Sequence, residues 1–380
     1  MSLDKIRLGE CCVSISDGDH LPPPKSEKGI PFITISNINS YNQIDFTNTM
    51  FVPEDYYNKL DTKRKAQQGD ILYSVVGSFG IPILIKDNTK FVFQRHIAIL
   101  RPDKNVDSRF LYYKMLSREF YALADVAAIG AAQRTISLSA LRNMEITLPD
   151  IDTQKRIADI LSNYDNLIEN NQMQIKLLEE AAQRLYKEWF VDLHFPGYES
   201  ATITDGVPEG WNKRTLGGIV PILTGKKDAN FGTTDGQYPF FTCSQEPIKA
   251  PSYSFDTSAV ILAGNGDFNI KLYRGKFEAY QRTYVLSPTD IKYLYLLYHA
   301  VDSNMNKLVK SASGSTIKFL TKGMIENIEI LVPKENILLQ FNQLMEEVQR
   351  KIEVLKKSTL LSTEARNRLL PKLMSREIEV

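Results

Sequence analysis

The stretch from Thr153 to Phe190 contains neither proline nor glycine. It is about three times as long as an average globular helix of 11–12 residues. Its apolar residues recur at alternating steps of four and three: Ile157, Leu161, Tyr164, Ile168, then Ile175, Leu178, Ala182, Leu185 and Trp189. One polar residue, Asn171, sits in the same stripe. That alternation is the seam of a coiled coil, in which successive apolar positions face a partner helix. A seam of this length needs a partner; the other solution is one-sided packing of the helix on the chain's own domains.

The partner is found by reading the chain against itself. Leu8-Gly9 recurs as Leu216-Gly217, and Pro31-Phe32 as Pro239-Phe240. FVFQRHIAIL (91–100) lines up with FEAYQRTYVL (277–286), sharing Gln94-Arg95 and Gln281-Arg282. The run from Arg134 matches the run from Ser315, with Thr135 opposite Thr316 and Pro149 opposite Pro333. The order is kept while the spacing drifts, as expected of a tandem duplication with unequal loops. A second helix is therefore expected between about Glu335 and Ser375, with the stripe Phe341, Met345, Val348, Ile352, Leu355, Thr359, Ser362, Arg366 and Leu369. Pro371 should end or kink it. The two helices would run antiparallel about a pseudo-twofold axis, with Asn171 fixing their register. At 1.5 Å per residue the first would be a rod of about 55–60 Å.

Four segments follow: globular domains over 1–150 and 196–333, and helical regions over 151–195 and 334–380. In each domain, short apolar strands alternate with Gly, Asn, Asp and Pro turns. A helix follows in each, capped by Asp107 or Asp290. The fold class is α+β: twisted or partly barrelled sheets with peripheral helices, and two long helices packed as an antiparallel coiled coil.

Net charge is +1 over 380 residues, so the chain does not coat nucleic acid by bulk charge. It has no apolar run long enough to span a bilayer and no apolar leader at its start, and it reads as cytoplasmic. Cys11, Cys12 and Cys243 fit no metal spacing and no disulfide framework. The four histidines (His20, His96, His194, His299) are scattered. There is no P-loop, HExxH, CxxC or GxSxG, and no Asn/Asp-Pro-Pro-aromatic loop of an amine methyltransferase. Gly264-x-Gly266 is a lone pair of glycines that reads as a strand-end turn. No catalysis and no metal are expected from this chain.

A duplicated globular domain, a long helical spacer and absent catalytic motifs together resemble the specificity subunit of type I restriction–modification enzymes. The likeness covers essentially the whole chain. It is strongest at LPDIDTQKRIADILSNYDNLIENNQMQIKLLEEAAQRLYKEWF (148–190), which looks like that family's central conserved helical region. VPEGWNKRTLG (207–217) looks like the start of a second target-recognition domain, and GSTIKFLTKGMIENIEILVP (314–333) like the end of one. The resemblance implies that each domain reads one half of a bipartite, asymmetric site in double-stranded DNA. The helices would set the gap and dock two methyltransferase subunits. Those subunits would hold S-adenosylmethionine and methylate adenine at N6; this chain would hold no cofactor. Motor-nuclease subunits can join such a complex.

Base reading favours Arg or Lys on guanine and Asn or Gln on adenine. Candidates at matching places are Gln94, Arg95 and His96 with Gln281, Arg282 and Thr283, and Gln133 and Arg134 with Ser315 and Lys318. Loop positions Lys25, Asn37, Asn39, Lys63, Arg64, Lys226, Lys227 and Lys271 are further contacts to phosphate or base. A structural role for each remains open: Gln-Arg can cap a strand, and Lys63-Arg64-Lys65 can be a solvated face. Two other readings stand beside DNA recognition. One is a duplicated adaptor that joins partners through its coiled coil without touching DNA. The other is an enzyme whose site is assembled from dispersed residues.

Overall fold

A computed structural model describes residues 5–20, 22–131, 133–314 and 317–380. Two compact units emerge, and their boundaries cut through both long helices. Unit 1 comprises Met1–Asn171 and Lys357–Val380; unit 2 comprises Gln172–Lys356. Each long helix thus contributes half of itself to the core of each unit. Among the described residues no helix is long and apolar enough to cross a membrane.

Unit 1 begins with β1 (Lys5–Arg7), β2 (Cys12–Asp17), β3 (Ile30–Ile33) and β4 (Met50–Val52). Helix α1 (Glu54–Lys59) precedes β5 (Ile71–Ser74), β6 (Pro82–Leu84), β7 (Val92–Phe93) and β8 (Ile97–Pro102). Then come α2 (Ser108–Leu116), α3 (Arg118–Ala127), α4 (Leu138–Asn143), β9 (Glu145–Thr147) and the first half of α5 (Ile151–Phe190). One sheet has the order β2-β8-β5-β6 and another β4-β3-β7, while β1 pairs with β9. Asp107 caps α2 by accepting from the amides of Arg109 and Phe110. The expected single helix after Asp107 breaks at Ser117. There the backbone is extended, and the Ser117 hydroxyl donates to Lys114 O while accepting from Phe120 N.

Unit 2 takes the rest of α5, then β10 (Ile203–Thr204), β11 (Val207–Pro208), β12 (Asn212–Thr215), β13 (Ile222–Thr224) and β14 (Tyr238–Phe241). It continues with β15 (Ile248–Ala250), β16 (Phe255–Ala263), β17 (Ile270–Ala279) and β18 (Thr283–Leu286). Helices α6 (Leu294–Ser311) and α7 (Lys322–Glu326), strand β19 (Glu329–Val332) and the first half of α8 (Glu335–Met374) complete it. The sheet order is β13-β18-β16-β17-β14-β15, and β12 pairs with β19. β10 pairs with β11 in a hairpin that has no counterpart among the described residues of unit 1, and the remaining strands follow the topology of unit 1 with one change. The long β17 does the work of both β6 and β7, and so fuses two sheets into one.

The seam is as the spacing predicts. Ile157, Leu161, Ile168, Asn171, Ala182 and Trp189 of α5 are buried, as are Phe341, Met345, Ile352, Leu355, Thr359 and Ser362 of α8. Tyr164, Ile175, Leu178, Leu185, Val348, Arg366 and Leu369 are half-buried. Within unit 1, Ile157, Ala158 and Leu161 share a core with Leu370, Leu373 and Met374. Also in unit 1, Asp165 pairs with Arg366, and Asn171 with Ser358. Numbers rise on one helix as they fall on the other, so the pair is antiparallel. Within unit 2, Tyr186, Trp189 and Phe190 surround Phe341, with ring centroids 4.8–6.4 Å away. Pro371 does not end α8. It lies in the last turn, where few main-chain bonds remain to be lost, and the helix continues to Met374.

The globular part of each unit is tied to its own helices by a tyrosine, a carboxylate and an arginine. In unit 1, Tyr113 donates to Asp165 at 2.6 Å, and Arg366 Nη1 donates to the other carboxylate oxygen at 2.5 Å. Burial and that carboxylate push the Tyr113 hydroxyl up. In unit 2, Tyr295 and Arg274 both donate to Glu346 at 2.7 Å, and the arginine's hydrogen bond holds that carboxyl below its ordinary range. Burial raises the thiols of Cys11 and Cys12, to about 11 and about 12, so both are inert near neutrality.

Two stability predictions follow from the unit 2 core. Phe341→Ala opens a cavity among four aromatic rings and should cost about 3–5 kcal/mol, read as a lower denaturant midpoint for that unit. His299 is packed against Tyr186, Tyr298 and Phe341, and its Nδ1 is buried without a partner. Burial lowers its pKa from 6.5 to about 4. At neutral pH the ring is uncharged folded and unfolded. As pH falls below 6.5 the unfolded chain takes up a proton that the folded chain refuses. Stability is therefore lost between pH 6.5 and about 4, by about 3 kcal/mol in total. His299→Phe should flatten that part of the stability profile, as measured by urea titration across the same pH range.

Candidate nucleic-acid interface

At one end of each unit, four segments are laced together by main-chain hydrogen bonds. In unit 1, Asp19 N donates to Phe93 O at 2.8 Å and Arg95 N to Asp19 O at 3.0 Å. Val75 N donates to His96 O and Gly77 N to Arg134 O. Thr135 bridges both Val76 and Ile129. The segments are the end of β2, the turn after β5, the turn between β7 and β8, and the loop 129–135. Glycine is required where the β2 end meets the turn, since a Cβ on Gly18 would lie 2.2 Å from Phe93 O.

Unit 2 repeats this lacing. Gln281 N donates to Lys227 O at 2.9 Å, Gly264 N to Arg282 O at 2.8 Å, and Phe319 bridges both Asn265 and Ser313. Gly225 makes the close approach that Gly18 makes, with Ala279 O 1.9 Å from the position of a Cβ. Gly130 and Gly314 both turn their loops with positive φ, 103° and 104°. The Gly264-x-Gly266 pair lies in the strand-end turn after β16, as its isolation suggests.

These bonds correct the sequence register. β3 runs parallel to β7 with Ile33 opposite Phe93; β14 runs parallel to β17 with Phe241 opposite Ala279. The equivalences are therefore Gln94 with Tyr280, Arg95 with Gln281, His96 with Arg282 and Ile97 with Thr283. The shared Gln-Arg letters lie one step out of register. Likewise Thr135 corresponds to Phe319 rather than to Thr316, which, like Ser315, lies outside the described residues. Arg134 and Lys318 do correspond.

The candidates divide accordingly. Arg95, Gln133, Lys63, Lys226, Gln281, Arg282 and Lys318 are exposed at or beside the laced end. Among the described residues, the side chains of Arg95, Arg282 and Lys318 have no hydrogen-bonded or ion-paired partner. Gln94 and His96 are half-buried, with their main chain in the turn. Lys63 and Arg64 are brought there by Ser16, whose hydroxyl donates to Lys63 O, and by Asp17, 3.7 Å from Arg64 Nη2. Lys227 lies over the Phe231 ring at 4.3 Å. Lys271 is half-buried; its ammonium donates to Ser244 O and Asn269, and burial lowers its pKa.

Others do not fit. Thr283 is fully buried and its hydroxyl donates to Phe241 O, because it occupies the core position of Ile97. Arg134 is already engaged, donating to Asp125 and to carbonyls at the end of α3 beside the Phe79 ring 5.2 Å away, though its side chain stays 41% exposed. Asn37 caps a helical turn by accepting from Thr34 N, and Asn39 organises the turn to Gln43. Lys25 is exposed beside Ser26, which bonds to β4 and not to the laced end. Sequence reading missed His20 and Asp228. Both follow the close-approach glycine, His20 two residues after Gly18 and Asp228 three residues after Gly225, so no common spacing marked them in the sequence. His20 Nε2 lies 2.6 Å from Asp17, and Gln281 Nε2 donates to Asp228 at 2.7 Å.

A family model for the type I restriction modification DNA specificity domain matches residues 5–180 and 208–359. The EcoDI type I restriction enzyme specificity subunit of Escherichia coli is 40% identical over 170 residues, 45% of this chain and 36% of that one. The match thus spans about a third of that relative's length. The MjaIX specificity subunit of Methanocaldococcus jannaschii is 25% identical over 384 residues, 92% of this chain and 87% of the relative. The solved S subunit of a type I restriction-modification system from M. genitalium has the same fold, with a TM-score of 0.60 over 98% of this chain and 96% of that one, at 18% identity. With the family model covering most of both halves, the chain belongs to the type I restriction modification DNA specificity family.

Proposed function

We propose that this chain is the DNA-addressing subunit of a type I restriction–modification complex. The laced end of each unit reads one half of a bipartite, asymmetric site in double-stranded DNA. One observation carries this reading. The same main-chain scaffold is built twice, and the side chains it exposes differ between the copies. A scaffold held by its own backbone leaves Arg95, Gln281, Arg282 and Lys318 free to meet base edges and phosphates. An adaptor that never touches DNA gives no reason for a duplicated end of this kind.

The chain supplies addressing and no chemistry of its own. Two methyltransferase subunits dock on the long helices, bring S-adenosylmethionine and methylate adenine at N6 after the base leaves the stack. Apolar residues left outside the seam support that docking: Leu167, Leu360 and Leu361 in unit 1, and Met173, Leu177, Leu339 and Val354 in unit 2. Motor-nuclease subunits join the same assembly, in the cytoplasm where the chromosome lies.

The test uses this chain co-purified with the methyltransferase encoded beside it. Lys318→Glu should weaken binding to every duplex alike and make the logarithmic salt dependence shallower by about one unit, the mark of a lost phosphate contact. Arg95→Ala should weaken binding to the methylated target sequence more than to unrelated DNA. Wild-type affinity for both variants across several salt concentrations would sink the assignment of the laced ends to DNA.

A further inference from the structure

The corrected register places one pair of exposed side chains at matching positions in both units. In unit 1 the pair is His20 and Arg95; in unit 2 it is Asp228 and Gln281. Each pair joins the residue after the bridging position of one segment (Asp19 or Lys227) to the turn residue whose amide donates to that position. Counted from the parallel bridges Asp19–Gln94 and Lys227–Tyr280 the pairs occupy equivalent positions, although unit 2 carries one more residue between Gly225 and its bridge than unit 1 does after Gly18. Their chemistry differs.

The unit 1 pair owes its free donors to Arg95. Arg95 is exposed, without a partner among the described residues, and offers its whole guanidinium fork. His20 has Nε2 against Asp17 at 2.6 Å, which orients the ring and leaves Nδ1 as its other polar atom. The unit 2 pair is rich in acceptors. Gln281 gives one amide hydrogen to Asp228 at 2.7 Å. That bond fixes the carboxamide plane and leaves Oε1 and the second N–H side by side. Asp228 keeps its second carboxylate oxygen as an acceptor.

The structure assigns these two positions as a specificity pair, one for each half-site. Resting on the DNA-reading function proposed above, the assignment names what each unit reads. The donor fork of Arg95 matches guanine, whose major-groove edge offers O6 and N7 as acceptors. The oriented amide of Gln281 matches adenine N6 and N7, and the free oxygen of Asp228 matches an exocyclic amine on adenine or cytosine. The half-site of unit 1 therefore contains a guanine where the half-site of unit 2 contains an adenine or cytosine. Asymmetry of the whole site follows from these two substitutions on one scaffold.

The experiment exchanges the pairs. One variant carries His20→Asp and Arg95→Gln; the other carries Asp228→His and Gln281→Arg. Each is co-expressed with the methyltransferase subunit, and modified adenines are mapped across the genome. The first variant should change base preference at one position of one half-site, leaving the other half and the gap intact. The second should change the other half. If both variants methylate the wild-type sites to the wild-type extent, the specificity pair is wrong while DNA reading by the chain stands. If the wild-type chain directs no bipartite methylation, the underlying function is wrong. Where an exchange abolishes methylation, the single variants Arg95→Gln and Gln281→Arg are measured against a panel of duplexes, each changed at one base pair. A loss of about tenfold or more that is erased on the duplex lacking the contacted guanine supports base reading by Arg95. Equal loss on every duplex makes the contact one to phosphate and overturns the assignment.

Discussion

The hydrogen bond from Asn171 to Ser358 is the constraint on which unit 1 is assembled. Asn171 is almost fully buried in the otherwise apolar stripe of its own helix, and its amide donates to the Ser358 hydroxyl at 3.0 Å. Removing the partner hydroxyl would leave that buried amide unpaired, at a cost of about 1–3 kcal/mol. The register it holds brings Arg366 to Asp165. Asp165 in turn receives the hydroxyl of Tyr113 on α2. A polar contact between two helices thus decides where the recognition domain attaches. Removing only one member of the buried arginine–carboxylate–tyrosine group would leave an uncompensated charge, so the three are expected to vary together.

Unit 2 reaches the same end by different means. Its half of the seam is closed by the aromatic group around Phe341, and its polar tie runs from Arg274 on β17 to Glu346 on α8. The arginine comes from a helix in one unit and from a strand in the other. Attachment of the domain to its helices is kept, while the residues that provide it have exchanged roles. This is what duplication followed by drift produces when a geometry is under constraint and its individual contacts are not.

That distinction also explains what could be read without coordinates. The seam was legible because burial imposes a period, and every stripe residue from Ile157 to Trp189 is buried or half-buried. The duplication was legible because Leu8 and Leu216 are fully buried and Gly9 and Gly217 pack tightly, at 3.0–3.2 Å from an added Cβ, against Arg142 and Glu326. The register at the exposed turns was not legible. Gln94-Arg95 and Gln281-Arg282 share letters by accident, because the turn is held by its main chain and not by the identity of those side chains. The main chain carries the equivalence, and main-chain hydrogen bonds leave no mark in the letters except at Gly18 and Gly225. For the same reason Thr283 looked like a reader: a core position can carry the same side chain as a DNA contact.

A recognition end built this way separates stability from specificity. Its loops are joined by bonds between backbone groups, which any residue other than proline can make. Side chains at the tip can then change without loosening the scaffold, provided the close-approach glycines stay. Replacing Gly18 or Gly225 would push a Cβ into a carbonyl oxygen and part the segments that the tip depends on. Replacing Arg95 or Gln281 alters only what is presented. If the laced ends read DNA as proposed, new addresses are reachable by single exposed substitutions that leave the main-chain scaffold in place. The two units can drift toward different half-sites while the helices that carry them stay constrained by their seam.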